Sequence, residues 1–145
     1  MSVRRHHTQW AAQFAVASEL CKLGCDVGFT MGHNTPLADL FVLSPSRKTT
    51  FLVDVKGQKT ANFWQIKKKE LIDNLFYVLA YVPTVGRNRF FIFSQSQLNE
   101  RLDQYEKSGV RFDPRFSGFN WTTAYAQEDK WNELPLGDGL ELGTK

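Results

Sequence analysis

A chain of 145 residues, 42% of them hydrophobic, holds one sizeable core and is too short for two comfortable domains. Its net charge of +3 is too small to mark a nucleic-acid partner by itself, so the placement of the charge matters more than its sum. No apolar run reaches the length of a membrane span, and Met1-Ser2-Val3-Arg4-Arg5-His6-His7 is not followed by a signal-peptide core, so no membrane partner is expected and the cytoplasm is the default location.

The segment Thr8–Leu23 lacks Pro and Gly, follows a potential Thr8 cap and stops at Gly24, which predicts a helix. Glu19 stands out on it, because Ala15, Val16 and Leu23 share its face and Lys22 is its only local partner. Cys21 and Cys25 lack the companion ligands of a zinc site and read as two reduced, mostly buried thiols. A first strand is predicted over Cys25–Thr30, and His33 lies in the loop Gly32-His33-Asn34, where a plain loop histidine is the expected reading. Thr35-Pro36 then breaks the chain ahead of the apolar run Ala38-Asp39-Leu40-Phe41-Val42-Leu43, placing Asp39 at a strand start.

A hairpin through Ser44-Pro45-Ser46-Arg47-Lys48 leads to Phe51-Leu52-Val53-Asp54-Val55-Lys56. Side chains alternate along a strand, so Asp54 and Lys56 share a face, about 7 Å apart, while Phe51, Val53 and Val55 take the other. A carboxylate and an ammonium on an otherwise apolar strand are costly to bury without a compensating partner. The hairpin offers one by bringing Asp39 beside Asp54. Two carboxylates so placed repel unless a divalent cation holds them, and an oxygen-rich site with few protein ligands suits Mg²⁺ or Mn²⁺.

Between Asn62 and Asp73, Trp64, Ile66 and Lys67-Lys68-Lys69 suggest a short helix. Leu75–Val82 and Arg89–Phe93 read as strands, separated by a turn over Pro83–Asn88. Ser94-Gln95-Ser96-Gln97 carries a capping signal for a helix over Ser96–Lys107 that ends at Ser108-Gly109. Basic residues gather at Arg4-Arg5, Arg47-Lys48, Lys67-Lys68-Lys69 and Arg87/Arg89, and the lysine triplet is best placed to flank the Asp54 strand and follow a phosphate backbone. Downstream, Phe112, Phe116, Phe119 and Trp121 alternate with Arg111, Arg115 and Asn120. Arg115 and Trp121 are candidates for phosphate contact and base stacking, set against the commoner outcome that such aromatics close over a core edge. Gln127–Leu134 is expected as a terminal helix, and 137–145 as a flexible tail.

A helix with Glu19, then Asp39 at a strand start, then Asp54-Val55-Lys56 in the next strand, resembles the PD-(D/E)XK nuclease superfamily, which includes archaeal Holliday junction resolvases and restriction-endonuclease-like proteins. The resemblance covers residues 8–94, with Leu37-Ala38-Asp39 in place of a literal Pro-Asp. It implies a single α/β domain over 1–136, a mixed β-sheet flanked by helices with an αβββαβ core and a helical, aromatic extension over 95–136. It further implies a metal-dependent endonuclease, with DNA the expected nucleic acid and Mg²⁺ or Mn²⁺ held by Asp39, Asp54, the Val55 carbonyl and Glu19. Lys56 would position a water and stabilise charge at phosphorus, and Gln58 matches a polar position that some relatives use. A homodimer is an option, since many relatives pair to cut two strands. Two other readings stay open: a non-catalytic module of the same fold that binds nucleic acid or protein, and an interaction protein whose contact surface is Arg111–Trp121. The plainest account of the same residues is an Asp54–Lys56 ion pair, an Asp39 cap and a Glu19–Lys22 pair.

Overall fold

The computed structural model describes residues 3–30, 38–108 and 117–137. Its first helix, α1 (Val3–Lys22), begins ahead of the expected Thr8 start and takes in the histidine pair. Ala12, Val16 and Leu20 recur at helical spacing and are fully buried, forming the stripe that docks on the sheet. Gly24 closes the helix in the left-handed conformation (φ 91°), and the Cys25 N–H donates back to the Leu20 carbonyl at 3.1 Å.

Three antiparallel strands follow: β1 (Asp26–Phe29), β2 (Leu40–Leu43) and β3 (Thr50–Gln58). The β2–β3 hairpin forms as expected, with Leu40 opposite Val53 and Leu43 opposite Thr50. The strand β5 (Leu75–Tyr81) then lies parallel to β3, and β6 (Arg89–Ser94) returns antiparallel beside it. The order β1-β2-β3-β5-β6 makes one mixed five-stranded sheet. Helix α2 (Gln95–Lys107) starts in a complete capping box, in which Ser94 and Gln97 satisfy each other's backbone N–H groups.

The expected helix between Asn62 and Asp73 is absent. The crossover from β3 to β5 instead contains a two-residue strand, β4 (Trp64–Gln65), paired antiparallel with β7 (Gly118–Phe119). The apolar spacing explains the difference: Trp64 and Ile66 are buried on either side of exposed Gln65, a period of two rather than of a helical turn. The terminal helix expected over Gln127–Leu134 is also replaced, by 3₁₀ turns at Trp121–Gln127 and Trp131–Glu133. Asp129, left-handed at φ 55°, separates them. This segment lies along the sheet edge, where Asp129 N–H donates to the Phe90 carbonyl and Gln127 Nε2 to the Ile92 carbonyl.

The sheet has a core on each face. Phe51, Val53 and Val55 of β3 face α1 with Val78, Ala80 and Ile92. Tyr77, Leu79, Phe91 and Phe93 face α2 with Trp64, Leu98 and Phe119. Asp54 and Lys56 alternate with the first set and so emerge on the α2 side.

Candidate functional site

Asp54 is only 4% exposed, an unusual position for a carboxylate, and both of its oxygens are engaged by ammonium groups. Lys56 Nζ lies 3.3 Å from Oδ1, and Lys69 Nζ lies 2.8 Å from Oδ2. One lysine comes from β3 itself and the other from the crossover that follows it. The β2–β3 register, carried one step beyond the Leu40–Val53 pair, sets Asp39 beside Asp54.

Asp39 does more than cap a strand. Its Oδ2 accepts the Val55 N–H at 2.8 Å, and its Oδ1 accepts Gln13 Nε2 at 3.4 Å. At the next peptide, Gln9 Nε2 donates to the Val55 carbonyl at 2.9 Å. Gln9 and Gln13 are one helical turn apart, so α1 presents a pair of amides to the strand ends. Burial pushes the Asp39 carboxyl above its ordinary range; the Val55 hydrogen bond opposes that rise and the neighbouring Asp54 adds to it.

Glu19 does not reach this cluster. It pairs with Lys22 at 2.9 Å and lines a separate cavity with Arg87, Arg89 and Glu128. The reason is helical geometry: six residues beyond Gln13 at 3.6 residues per turn lands about two-thirds of a turn away and about 9 Å further along the axis. Among the described residues, no group of three or more His, Cys, Asp or Glu side chains converges, so the expected third carboxylate is replaced by amides. Gln58 is likewise occupied. Its amide donates to the Phe63 carbonyl and accepts the Asn62 N–H, closing the loop after β3.

With this geometry in view, the chain can be set beside known proteins. The fold resembles that of a bacterial homing endonuclease. That structure, of I-Ssp6803I, superposes over 94% of each chain with a TM-score of 0.52 at 20% sequence identity. No family model matches the chain, and no curated protein matches it.

The lysine triplet divides three ways. Lys67 is exposed, Lys68 pairs with Asp103 of α2 at 2.8 Å, and Lys69 turns inward to Asp54. Trp121 stacks on Trp64 with centroids 5.5 Å apart, meets Tyr81 and Phe91 edge-on and donates its indole N–H to Tyr125 Oη. Its rings pack along a core edge while the residue stays half-buried. Arg115 and His33 lie outside the described residues, as do Arg111, Phe112 and Phe116. Of the cysteines, Cys21 is exposed rather than buried, and burial raises the Cys25 thiol to about 11. No helix among the described residues is long and apolar enough to cross a membrane.

Sequence reasoning missed Gln9 and Gln13. Their signal was present as a polar pair four residues apart beside the small and branched stripe of Ala12 and Val16. The lysine triplet is expected to flank the Asp54 strand as a group, and of the three it is Lys69 that completes the Asp54 cluster.

Proposed function

We propose that this chain is a divalent-metal-dependent nuclease acting on DNA. The observation that carries the reading is the meeting of Asp39 with Asp54, Val55 and Lys56 at one end of the β2–β3 pairing, with Asp54 buried and Lys56 beside it. The likeness of fold to a homing endonuclease supports the same direction and favours DNA as the nucleic acid.

The donor set suits a small hard cation. Asp39, Asp54 and the Val55 carbonyl offer oxygen only, and a carbonyl that accepts one hydrogen bond from Gln9 keeps a second lone pair. Waters would supply the remaining positions, as Mg²⁺ usually requires. Such an ion neutralises phosphate charge and lowers the pKa of a water. Lys56, with three rotatable donors and no acceptor, holds that water or the phosphate oxygen and stabilises the negative charge that grows during hydrolysis. Gln9 and Gln13 are positioning residues: one steadies the Val55 carbonyl and the other steadies Asp39.

A second reading has its own observation. Both Asp54 oxygens already carry lysine partners, and α1 brings amides where a third carboxylate was expected, which favours a non-catalytic binding module of the same fold. A titration with Mg²⁺ or Mn²⁺ against single-stranded, duplex and branched DNA separates the two. The nuclease reading expects cleavage and a rising melting temperature in the wild type, with both lost in Asp54→Asn. A metal response unchanged in Asp54→Asn overturns the site assignment, and salt-sensitive binding without cleavage selects the binding module.

A further inference from the structure

We propose that Lys69 is a resident cation of this site: its ammonium holds the place on Asp54 Oδ2 that a divalent ion takes, and once displaced it turns outward to contact substrate phosphate. The inference rests on the metal-dependent reading above.

Charge supplies the first argument. Asp39 and Asp54 bring two negative charges to the cluster, and Lys56 and Lys69 bring two positive ones, so the four side chains balance without an ion. A divalent cation entering that balanced set meets two ammoniums in a place with little water. One of them must leave for Asp54 to serve as a ligand. Lys69 makes the shorter contact and blocks Oδ2 directly, whereas Lys56 stands 3.3 Å from the other oxygen. The carboxylate is therefore released for metal chiefly by moving Lys69.

The second argument concerns what moves. The crossover backbone around Lys69 is pinned by Gln95, which is 3% exposed at the start of α2. Gln95 Nε2 donates to the Glu70 carbonyl at 2.8 Å, and its Oε1 accepts the Ile72 N–H at 2.7 Å. The main chain is thus anchored, so any movement of the charge falls to the flexible four-carbon stem of Lys69. Lys69 is half-buried, with its ammonium on Asp54. Rotation about its side-chain bonds carries the charge from the carboxylate to the mouth of the site with no change in the loop. Lys68 points instead to Asp103 on α2, which leaves Lys69 as the member of the triplet able to serve both positions.

The test is calorimetric titration of the full chain with Mn²⁺, comparing wild type with Lys69→Met, Lys69→Arg and Lys68→Met. Lys69→Met, which keeps the stem and removes the charge, should bind Mn²⁺ about tenfold tighter, a difference of about 1.4 kcal/mol. Lys69→Arg should bind no tighter than wild type, and Lys68→Met should match it. Lys69→Gln, which keeps an N–H donor for Asp54, gives the same comparison if the methionine variant does not fold. In a second arm, duplex DNA binding with Ca²⁺ in place of Mn²⁺ should show a salt slope smaller by about one in Lys69→Met, the signature of one lost phosphate contact. Wild type that binds Mn²⁺ while Lys69→Met binds no tighter overturns the displacement alone, as does tightening in Lys69→Arg. An unchanged salt slope overturns the phosphate contact. If wild type and Lys69→Met both bind no Mn²⁺, the metal-dependent reading falls and takes this inference with it.

Discussion

Arg89 and Asp54 both bring ionisable side chains against the aromatic layer between the sheet and α2, and they are partnered in opposite ways. Arg89 gives two parallel hydrogen bonds to Glu128, at 2.8 and 2.7 Å, and its guanidinium lies over the rings of Phe91, Trp121 and Tyr125. The guanidinium and carboxylate are held there in a fixed fork. Asp54 instead shares two lysines from different parts of the chain and sits beside a second carboxylate. A planar forked pair suits a permanent fastening, whereas flexible ammoniums around two carboxylates can be exchanged for another cation. On the nuclease reading proposed above, the contrast separates charge used to hold the fold from charge held ready for chemistry.

The largest expected effect lies on the exchangeable side. Lys56→Ala should slow DNA cleavage by about a hundredfold to a thousandfold, the scale of one transition-state donor, while the metal-induced rise in melting temperature persists. Single-turnover cleavage alongside thermal melts measures both, and a near wild-type rate would reduce Lys56 to a structural partner of Asp54.

On the fastening side, Trp121→Ala should destabilise the protein by about 3 kcal/mol, because the ring fills the space between Trp64, Tyr81 and Phe91. Affinity for single-stranded DNA, corrected for the folded fraction, should stay unchanged in anisotropy measurements. Selective loss of single-strand affinity would restore the stacking role that the sequence suggested.

Gly57 seats α1 on the strand that carries the Asp54 cluster. A Cβ at this position would stand 2.6 Å from the Ala12 Cβ and 3.2 Å from the Thr8 carbonyl, so the helix rests directly on the β3 backbone there. Gly57→Ala should cost about 2 kcal/mol in urea unfolding, with partial recovery when Ala12→Gly is added. Full additivity of the two substitutions would mean the contact is not what fixes the helix against the strand. The displaced helix should also weaken cleavage, since Gln9 reaches Val55 two residues away.

The smallest effect is expected at Arg89–Glu128. Both side chains are about one-third exposed, so a double-mutant cycle at pH 7 should give about 1 kcal/mol of coupling. The Arg89 hydrogen bonds hold the Glu128 carboxyl below its ordinary value of 4.5. With the folded value depressed, the native state binds fewer protons than the unfolded chain, so the stabilisation is full above that value and is lost as pH falls through the lower, folded one. The stability gap between wild type and Glu128→Gln should therefore close in acid below pH 4.5. A gap that persists there would place its origin in packing of the side chain rather than in its charge.

Much of the sheet was legible because its strands alternate cleanly. The pairing of the Asp39 and Asp54 runs followed from two apolar runs joined by a short polar turn, and the shared face of Asp54 and Lys56 followed from the period of a strand. The rest depended on rotations and approaches that a linear pattern does not carry. Whether Glu19 or the Gln9–Gln13 face meets the strand ends is set by how α1 turns about its axis, which Ala12 and Gly57 decide by close contact. Trp64 and Ile66 were read as helical because their strand partner, Gly118–Phe119, lies more than fifty residues downstream. Lys69 looked like its neighbours because its distinguishing contact is made through space.

The parallel pairing of β3 with β5 also bears on how the protein comes into being. The bonds that join Lys69 to Asp54, Val55 to Asp39, Gln13 to Asp39 and Gln9 to Val55 span 15, 16, 26 and 46 residues of chain. Non-local contacts of this kind form late, because the entropy of closing each loop is lost before the contact returns any stability. A nascent or partly folded chain therefore has its acidic and basic groups dispersed, and the full cluster comes into existence only when α1 has docked on β3 and the crossover has folded back to bring Lys69 to Asp54. Completion of the cluster is in this sense a report on the joint packing of α1, the hairpin and the crossover.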